Sequence, residues 1–294
     1  MAANSLTPEE VAAVLNITKN TVYEMVKRGE LAAYRIGRKI RIDEKEISAY
    51  KEKMRQTSLY SEKTDQSAFI ICGQDIVLDI LARFMEAQNP GVSILRSYKG
   101  SYNGLFDLYN DKANVATAHL WDGDSGMYNA VYVKYMLPGV PAAIIPLGKR
   151  YQGFYVRKGN PKNISGWEDF NREDITFINR EKGSGTRVLL DEHLRLRNIS
   201  PALIPGYGNI VSSHILVATA VSRGAADFGL GIGKAAKQVK GLEFIPLQQE
   251  NYDLVVKDSD LDKPIVQNML MILKSDEYRR EVKSLGSYLD TGAV

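Results

Sequence analysis

The sequence predicts an α/β protein that carries a small, basic helical domain in front of its sheet. The chain has 294 residues, enough for about two domains with a sizeable core. Residues 1–55 hold 11 Lys and Arg against 8 Asp and Glu, so the whole formal net charge of +3 lies there. From residue 67 onward, short apolar runs alternate with helical patterns, which is typical of an α/β domain with largely parallel strands. The polar stretch 56–66, QTSLYSEKTDQ, is predicted to be a linker.

The composition is that of an ordinary globular protein, with 25% charged and 44% hydrophobic residues. The single cysteine, Cys72, excludes an internal disulfide and fits a reducing compartment, and we expect it to serve packing. The first residues, MAANSLTPEE, lack the basic start and apolar run of a signal peptide. No apolar stretch approaches the roughly 20 residues that span a bilayer. These features predict a cytoplasmic protein without a membrane segment.

Two short helices are predicted at the start of the chain. Thr7 and Glu10 have the spacing of a capping box around Pro8, and the apolar residues that follow share one helical face. A second helix is expected from the N-cap Thr18 to Gly29, with its apolar side chains facing inward. Those inward residues are Val22, Met25 and Val26. Two helices joined by a tight turn form a helix-turn-helix, whose second helix can enter the major groove of DNA.

A basic hairpin is predicted next, in AAYRIGRKIRID, with its turn at Gly37-Arg38. The residues of one parity are Tyr34, Ile36, Ile40 and Ile42, and those of the other are Arg35, Lys39 and Arg41. This alternation predicts one packed face and one basic face. Asp43 and Glu46 form a second capping-box pattern that opens a third helix. A solvated basic hairpin on an unrelated small domain is the plainer alternative.

Residues 5–53 resemble the excisionase-type, MerR-like winged-helix family, in the order helix, turn, helix, basic hairpin and helix. The resemblance implies binding of double-stranded DNA, with the helix after Thr18 in the major groove and the Gly37 hairpin on the backbone. The candidates for base contacts are Lys19, Asn20, Thr21 and Tyr23. The candidates for phosphate contacts are Lys27, Arg28, Arg35, Arg38, Lys39 and Arg41. Because one such module covers little DNA, we expect a homodimer.

The stretch REKGSGTRVLL places glycines and hydroxyls in front of an apolar helix, which suits a bound anion. It lacks the GK[ST] ending of a Walker A loop, and no GxGxxG opens the domain. A serine hydrolase based on Ser184, with Asp191 or His193 as its partner, is a weak alternative because GxSxG is absent. The three scattered histidines lack the spacing of a metal site. We therefore predict a binding site with no catalytic residue, metal or cofactor.

Residues 67–294 resemble the type II periplasmic-binding-protein fold, and within it the molybdate-binding-like proteins that are fused to helix-turn-helix modules. The resemblance rests on collinear stretches that include SYKGSYNGL, ATAHLWD, FINREKGSGTRVLLD and GYGNIVSSHILVATAVSRGAADFGLGIGKAA. It implies two lobes, with lobe one formed by residues 67–150 and 250–294 and lobe two by residues 151–249. Two crossovers would join the lobes, and the ligand would lie in the cleft between them. The DNA-binding segment indicates that this fold serves sensing here, not transport.

The candidate ligand residues lie where predicted strands pass into predicted helices, the usual place for ligands in such sheets. They are Ser97, Tyr98, Lys99, Ser101, His119, Trp121, Arg180, Lys182, Gly183, Ser184, Gly185, Thr186, Arg187, Ser213 and His214. An arginine fork can bind an oxyanion with two hydrogen bonds, although Arg187 is equally compatible with an outward position and a surface carboxylate partner. Ser184 and Thr186 can cap their helix as well as donate to the anion. A buried histidine with structural partners is the alternative for His119 and His214.

These observations predict a one-component transcription regulator that is not an enzyme. Its first domain binds DNA, and its second senses a small anion, for which the resemblance suggests molybdate or tungstate. Ligand-driven closure of the lobes would change the spacing of two DNA-binding modules in a homodimer. The alternatives are a sensor of an organic carboxylate or pterin-type metabolite, and an enzyme with an accessory helix-turn-helix.

Overall fold

The computed structural model describes residues 5–51, except 16, 28, 30 and 38, and residues 68–285. The chain divides into two compact units, Met1–Ala68 and Phe69–Val294. The predicted linker at 56–66 and the predicted DNA contacts Arg28 and Arg38 lie outside the described residues.

The first unit contains three helices and a small three-stranded sheet within the described residues. The helices are α1 (Pro8–Leu15), α2 (Lys19–Lys27) and α3 (44–51), and the strands are β1 (Ser5–Leu6), β2 (Tyr34–Ile36) and β3 (Lys39–Asp43). The sheet order is β1-β3-β2. The predicted pair of helices joined by a turn is confirmed.

The helix ends follow the capping chemistry in the sequence. The Thr7 backbone N–H donates to Glu10 Oε2 at 2.7 Å, and the Glu10 N–H donates to Thr7 Oγ1 at 3.3 Å, which is the predicted capping box. The Thr21 N–H donates to Thr18 Oγ1 at 3.2 Å at the start of α2. The inward face of α2 is also confirmed, with Val22 at 0% exposure in the core of this unit.

The hairpin forms, but the predicted packed and basic faces are wrong. The paired residues are Tyr34 with Arg41, Arg35 with Ile40 and Ile36 with Lys39. Directly paired residues of antiparallel strands share a face, and a two-residue turn pairs even with odd positions. Ile36 therefore lies with Lys39 and is 60% exposed, while Arg35 shares its face with Ile40. Of the four residues predicted to form the packed face, only Ile42 on β3 is buried, at 0% exposure.

The second unit is a mixed α/β domain. Its strands are β4 (Ala68–Cys72), β5 (Ser93–Ser97), β6 (Val115–Ala118), β7 (Ala142–Arg157), β8 (Phe177–Arg180), β9 (Ile210–Val211), β10 (Phe228–Ile232) and β11 (Leu242–Lys257). Its helices are α4 (Val77–Gln88), α5 (Ser101–Tyr109), α6 (Ala130–Met136), α7 (Gly185–Leu196), α8 (His214–Ser222), α9 (Gly233–Gln238), α10 (Pro264–Lys274) and α11 (Asp276–Ser284). Short 3-10 helices span Trp167–Asn171, Pro201–Leu203 and Asp258–Asp260.

Two long strands organise this domain. Its eight strands have the order β5-β4-β6-β11-β7-β10-β8-β9. β7 and β11 have 16 residues each and pair antiparallel along almost their whole length. The first half of β7 has β11 as its only neighbour among the described strands, whereas its second half, Gln152 to Val156, also pairs with β10. The two strands thus run from one half of the domain into the other.

The prediction of largely parallel strands holds only outside this central pair. β4 pairs parallel with β6, and β8 pairs parallel with β10 and β9. The pairs β6–β11, β11–β7 and β7–β10 are antiparallel. One long strand leaves the first half while the other returns to it, so the two must run in opposite directions.

Separate cores hold the two halves of the domain. One core lies between the first half of the sheet and the helices α4, α10 and α11, and it includes Leu78, Leu81, Met269 and Ile272. The other face of the same half packs against α5 and α6. In the second half, an aromatic core forms around Phe154, Phe170, Phe177 and Phe228. Within the described residues, no helix is both long and apolar enough to cross a membrane.

Candidate functional site

A small polar cavity lies beside the two long strands and has a volume of about 50 Å³. We call it the inner cavity. Its lining residues are Gln74, Asp75, Lys99, Gly100, Ser101, Thr117, His119, Arg150, Arg180, Ser184, Gly185, His214, Ile232 and Tyr252. They come from both halves of the domain and from both long strands.

A larger cavity of about 500 Å³ shares walls with the inner one, and we call it the outer cavity. The shared residues are Gln74, Asp75, His214 and Ile232. Its remaining wall is formed by Ile76, Tyr98, Ser212, Ser213, Ile215, Lys234, Ala235 and Gln238. The outer cavity is therefore more apolar than the inner one.

Many of the residues chosen from the sequence meet at these cavities. The inner cavity is lined by Lys99, Ser101, His119, Arg180, Ser184, Gly185 and His214, and the outer cavity by Tyr98, Ser213 and His214. The stretches SYKGSY and KGSGT, which lie in different halves of the domain, make direct contact. The Tyr102 N–H donates to the Gly183 carbonyl oxygen at 3.0 Å.

The remaining candidates lie behind the cavities or away from them, namely Ser97, Trp121, Lys182, Gly183, Thr186 and Arg187. Thr186 Oγ1 accepts a hydrogen bond from Gln152 Nε2 at 2.9 Å. Lys182 is exposed, and Trp121 packs on the ring of His193.

Arg187 has a structural role, but its side chain is buried and does not take the outward position considered for it. It is 4% exposed, and its Nε lies 3.0 Å from both carboxylate oxygens of Asp191. Its Nη1 donates to the Arg180 carbonyl oxygen at 3.1 Å, and its guanidinium stacks on Tyr207. Arg187 thus fixes the start of α7 from behind.

Helix N-termini supply donors to the inner cavity. Ser101 begins α5, and Gly185 and Thr186 form the first turn of α7, where the N–H groups have no carbonyl acceptor within the helix. Ser184 caps α7 because its Oγ accepts from the Arg187 N–H at 3.2 Å. Ser101 Oγ accepts from the His119 N–H at 3.3 Å, which leaves its hydroxyl hydrogen to donate elsewhere. This arrangement favours a bound anion.

A buried charge cluster closes the floor of the inner cavity, and sequence reasoning missed it. Arg150 on β7 donates from Nε to Glu250 Oε1 at 2.6 Å and from Nη1 to Asp75 Oδ2. Arg150 is 5% exposed and Glu250 1% exposed, and the guanidinium lies 4.2 Å from the centroid of the Tyr252 ring. Burial alone would raise the pKa of Glu250, yet His119 and Arg150 hold that pKa at about 2.

His119 joins this cluster to the cavity wall. Its Nδ1 lies 2.9 Å from Glu250 Oε2, which also accepts from Gln152 Nε2 at 2.8 Å. Its ring lies directly over the start of α7, since a Cβ added at Gly185 would come within 2.5 Å of the His119 Nδ1 and Cε1 atoms. Only glycine permits this contact between the two halves of the domain.

His214 lies between the two cavities at the start of α8. Its Nδ1 is buried and has no hydrogen-bond partner among the described residues. Burial, together with the positive charges of Arg180 and Arg150, holds the pKa of His214 well below its ordinary value. The imidazole is therefore neutral at pH 7.

The cations of the inner cavity already have carboxylate partners on the protein. Arg180 donates to both carboxylate oxygens of Glu181, at 2.7 and 2.8 Å, and Lys99 is paired with Asp107. Arg150 is shared by two carboxylates, as described above. The cavity therefore presents hydrogen-bond donors and helix termini, not a large excess of positive charge.

His193, a residue considered for catalysis, instead lies in an aromatic stack. Its ring lies between Trp121 and Trp167, with ring centroids 4.5 and 3.8 Å away. Its Nε2 lies 2.8 Å from Gln248 Oε1, and its Nδ1 lies 2.8 Å from Arg197 Nη1. Because Arg197 can only donate, Nδ1 must accept, which requires a neutral ring. Burial lowers the pKa of His193 to about 4, and the nearby Arg197 charge acts in the same direction.

This stack predicts a pH-dependent fluorescence change. A histidine with a lowered pKa stabilises the fold fully above about pH 6.5 and loses that contribution as the pH falls towards 4. Both tryptophans of the chain flank the ring, so protonation should quench intrinsic fluorescence with a midpoint near pH 4. A fluorescence titration of the wild type and His193→Gln measures this. A transition of equal amplitude in the variant would contradict the assignment.

The first unit presents a set of exposed polar side chains on α2 and the hairpin. The predicted base contacts Lys19, Asn20, Thr21 and Tyr23 are exposed, as are Lys27, Arg35 and Lys39. Lys19 pairs with Glu9, and Arg41 is half-buried with its Nη1 3.3 Å from the Ser5 carbonyl oxygen. Arg41 is therefore less available to a phosphate than the other basic residues.

Comparisons with known proteins agree with this architecture. Residues 82–274 match the family described as PBP superfamily domain, and residues 5–55 match the helix-turn-helix domain family. The chain is 44% identical to the uncharacterized protein YvgK of Bacillus subtilis strain 168, across 97% of this chain and 95% of that protein.

Two solved structures share the fold of the second unit at low sequence identity. An ABC-type phosphate transport receptor from Vibrio cholerae has a TM-score of 0.52 and 17% identity, covering 74% of this chain and 98% of its own. The CcmR regulatory domain of Synechocystis in complex with 2-PG has a TM-score of 0.51 and 13% identity, covering 71% and 96%. Both are binding or regulatory proteins. The chain belongs to the PBP superfamily and carries a helix-turn-helix domain within its first 55 residues.

Proposed function

We propose that this protein is a cytoplasmic, homodimeric transcription regulator that senses a small oxyanion, molybdate or tungstate, in the inner cavity. The observation that carries the proposal is the convergence of the Ser101 hydroxyl and the first turns of α5 and α7 on one small cavity, while Ser184 caps α7 and donates its own hydroxyl to the Glu181 carbonyl oxygen. The helix-turn-helix domain supplies the link to DNA. As ligand residues we propose the candidates from the sequence that line the inner or the outer cavity.

The size and chemistry of the inner cavity support a small oxyanion. A volume of about 50 Å³ admits a compact ion and excludes a large organic molecule. Hydroxyl and amide donors can surround an oxyanion without a full counter-charge, and helix termini add favourable partial charge. The related fold of a phosphate transport receptor is compatible with this ligand class.

The boundaries of the two lobes remain as proposed, at residues 67–150 with 250–294 and at 151–249. The pairing of β7 and β11 supports this division, because β10 joins β7 only after Tyr151. The contacts Tyr102–Gly183 and His119–Gly185 connect the two proposed lobes across the inner cavity. An anion held by both sides would therefore favour the closed arrangement.

The outer cavity supports a second candidate, a sensor of an organic carboxylate. Its volume of about 500 Å³ and its partly apolar wall suit an organic body whose anionic group enters the inner cavity. The CcmR regulatory domain, which is similar in fold, was solved in complex with 2-PG.

Calorimetry on the full chain distinguishes the candidates. Titration with molybdate, tungstate, sulfate and phosphate should give submillimolar binding for molybdate or tungstate. Absence of heat for all four ions, together with binding of a small organic carboxylate, would replace the oxyanion proposal with the second candidate.

The exposed basic residues of the first unit allow a separate prediction about DNA binding. Arg35 and Lys39 are exposed on the hairpin, so Arg35→Ala and Lys39→Ala should each weaken binding across DNA sequences and lower the salt slope by about 1. Electrophoretic shift assays with the region upstream of the gene, at several salt concentrations, measure both effects. Lys240→Ala removes one exposed charge from the second unit and should leave binding unchanged. Unchanged affinity and salt slope in the hairpin variants would refute this DNA surface.

A further inference from the structure

The first half of β7 leaves one strand edge open. Residues Ala142 to Pro146 pair with β11 on one side, and no described strand pairs with them on the other. The Asp258 N–H donates to the Pro141 carbonyl oxygen at 2.9 Å, at the end of this ladder. The backbone groups of Pro141 therefore face the β11 side. Because backbone groups alternate along an antiparallel strand, Ala143 and Ile145 face β11, while Ala142 and Ile144 present their N–H and C=O groups to the open side. Such an edge is a template for another strand.

The side chains around this edge are apolar. A groove of about 420 Å³ runs beside it, between α6 and the start of β7. Val133, Leu137, Val140 and Ile144 line it, and Lys134 is its only charged lining residue. The edge residues Ala142 to Ile145 are half-buried and carry no charge. A strand that paired here would cover both the backbone edge and the groove.

We infer that this edge of β7 is the homodimer interface, where it pairs antiparallel with the same edge of a second copy of this chain. Pairing about a two-fold axis through Ala143 joins Ala142 of each copy to Ile144 of the other, with about four backbone hydrogen bonds. The small side chains at Ala142 and Ala143 allow this close approach.

Two features favour a second copy over an unrelated peptide or an open-ended assembly. Pro146 lacks an outward N–H, and the outward N–H of Val140 already donates to the Leu137 carbonyl oxygen at 3.1 Å, so pairing is limited to the short segment between Val140 and Pro146. The two outward residues, Ala142 and Ile144, are symmetric about Ala143. Two copies of this segment can therefore pair all of each other's outward N–H and C=O groups in a closed dimer. The groove likewise meets its own copy across the axis, so two apolar surfaces cover each other.

The inference draws on the proposed function only for the need of two DNA-binding domains, and its test uses neither DNA nor ligand. Ala142→Pro removes an outward N–H without removing a hydrogen bond to β11, so the dimer dissociation constant should rise by at least 10-fold. Sedimentation equilibrium of the full chain measures it, with far-UV circular dichroism as the check on folding. Phe106→Glu and Met271→Glu alter apolar side chains that are 55% and 63% exposed elsewhere, and both variants should remain dimeric.

A cross-link gives an independent readout of the same geometry. Facing Ala143 residues would have Cα atoms about 4.5 Å apart, within the range of a disulfide. Ala143→Cys should therefore form a covalent dimer when its thiols are oxidised by oxidised glutathione, while Phe106→Cys should not. Cys72 is buried and gives little background. A monomeric wild type, dissociation caused by Phe106→Glu, or no cross-link in Ala143→Cys would overturn the inference, and calorimetric ligand binding would remain unaffected by any of these results.

Discussion

Arg150→Met should lower the free energy of unfolding by about 3–5 kcal/mol, because removal of one partner leaves buried carboxylates without a counter-charge. Arg150 is the shared partner of Glu250 and Asp75, which are 1% and 8% exposed. Methionine fills much of the volume of the arginine side chain, so the loss of stability measures the effect of the missing charge and not that of a cavity. Urea unfolding at pH 7, followed by circular dichroism, measures the change.

The matched control is Arg83→Met. Arg83 pairs with Glu281 on the surface, and its side chain is 62% exposed, so its loss should change stability by less than about 1 kcal/mol. Equal effects of the two substitutions would contradict the structural role of the buried cluster.

Acid should narrow the difference in stability between the wild type and Arg150→Met. A carboxyl with a lowered pKa stabilises the fold above its unfolded pKa and loses that contribution as the pH falls. For Glu250 the loss begins near pH 4.5 and extends to about pH 2. Without Arg150 the Glu250 pKa is raised, so Arg150→Met should lose less stability than the wild type over this range. A steeper loss in the variant would contradict the assignment.

Gly185→Ala should weaken ligand binding roughly 10- to 100-fold, the effect of about 1–3 kcal/mol of overpacking. The added methyl would lie 2.5 Å from the His119 ring, which Glu250 holds through Nδ1. The ring cannot move aside without breaking that contact, so the closed arrangement becomes less favourable. Calorimetry with molybdate measures the loss.

Gly208→Ala is the matched control for this variant. A Cβ at Gly208 meets no atom within 4 Å, and its backbone lies outside the left-handed region. It should therefore bind as the wild type does. Wild-type affinity in Gly185→Ala would show that His119 and Gly185 need not approach each other in the bound state.

Local patterns predicted what local chemistry determines. The capping box at Thr7, the cap at Thr18 and the helix after KGSGT are set by residues within one turn of each other. Strand ends in an α/β domain also point to the ligand site in general terms, which is why Ser101, His119 and His214 could be chosen from the sequence.

Pairings between distant segments could not be predicted in this way. Arg150 and Glu250 are 100 positions apart, and each lies inside a long strand whose partner strand is not evident from its own sequence. Polar residues inside the apolar β7 pattern, at Arg150 and Gln152, were the available signal. The prediction of a packed and a basic face on the hairpin failed for a related reason. The length of the turn, and not the alternation alone, decides which residues share a face.

The most direct test of the proposed regulator is the affinity for DNA with and without molybdate. If closure of the ligand site is coupled to DNA binding, saturating molybdate should change the dissociation constant for the upstream DNA by at least about 5-fold, and DNA should change the molybdate affinity by the same factor. Fluorescence anisotropy at fixed salt measures both. Tight molybdate binding with a DNA dissociation constant that does not change would contradict the account.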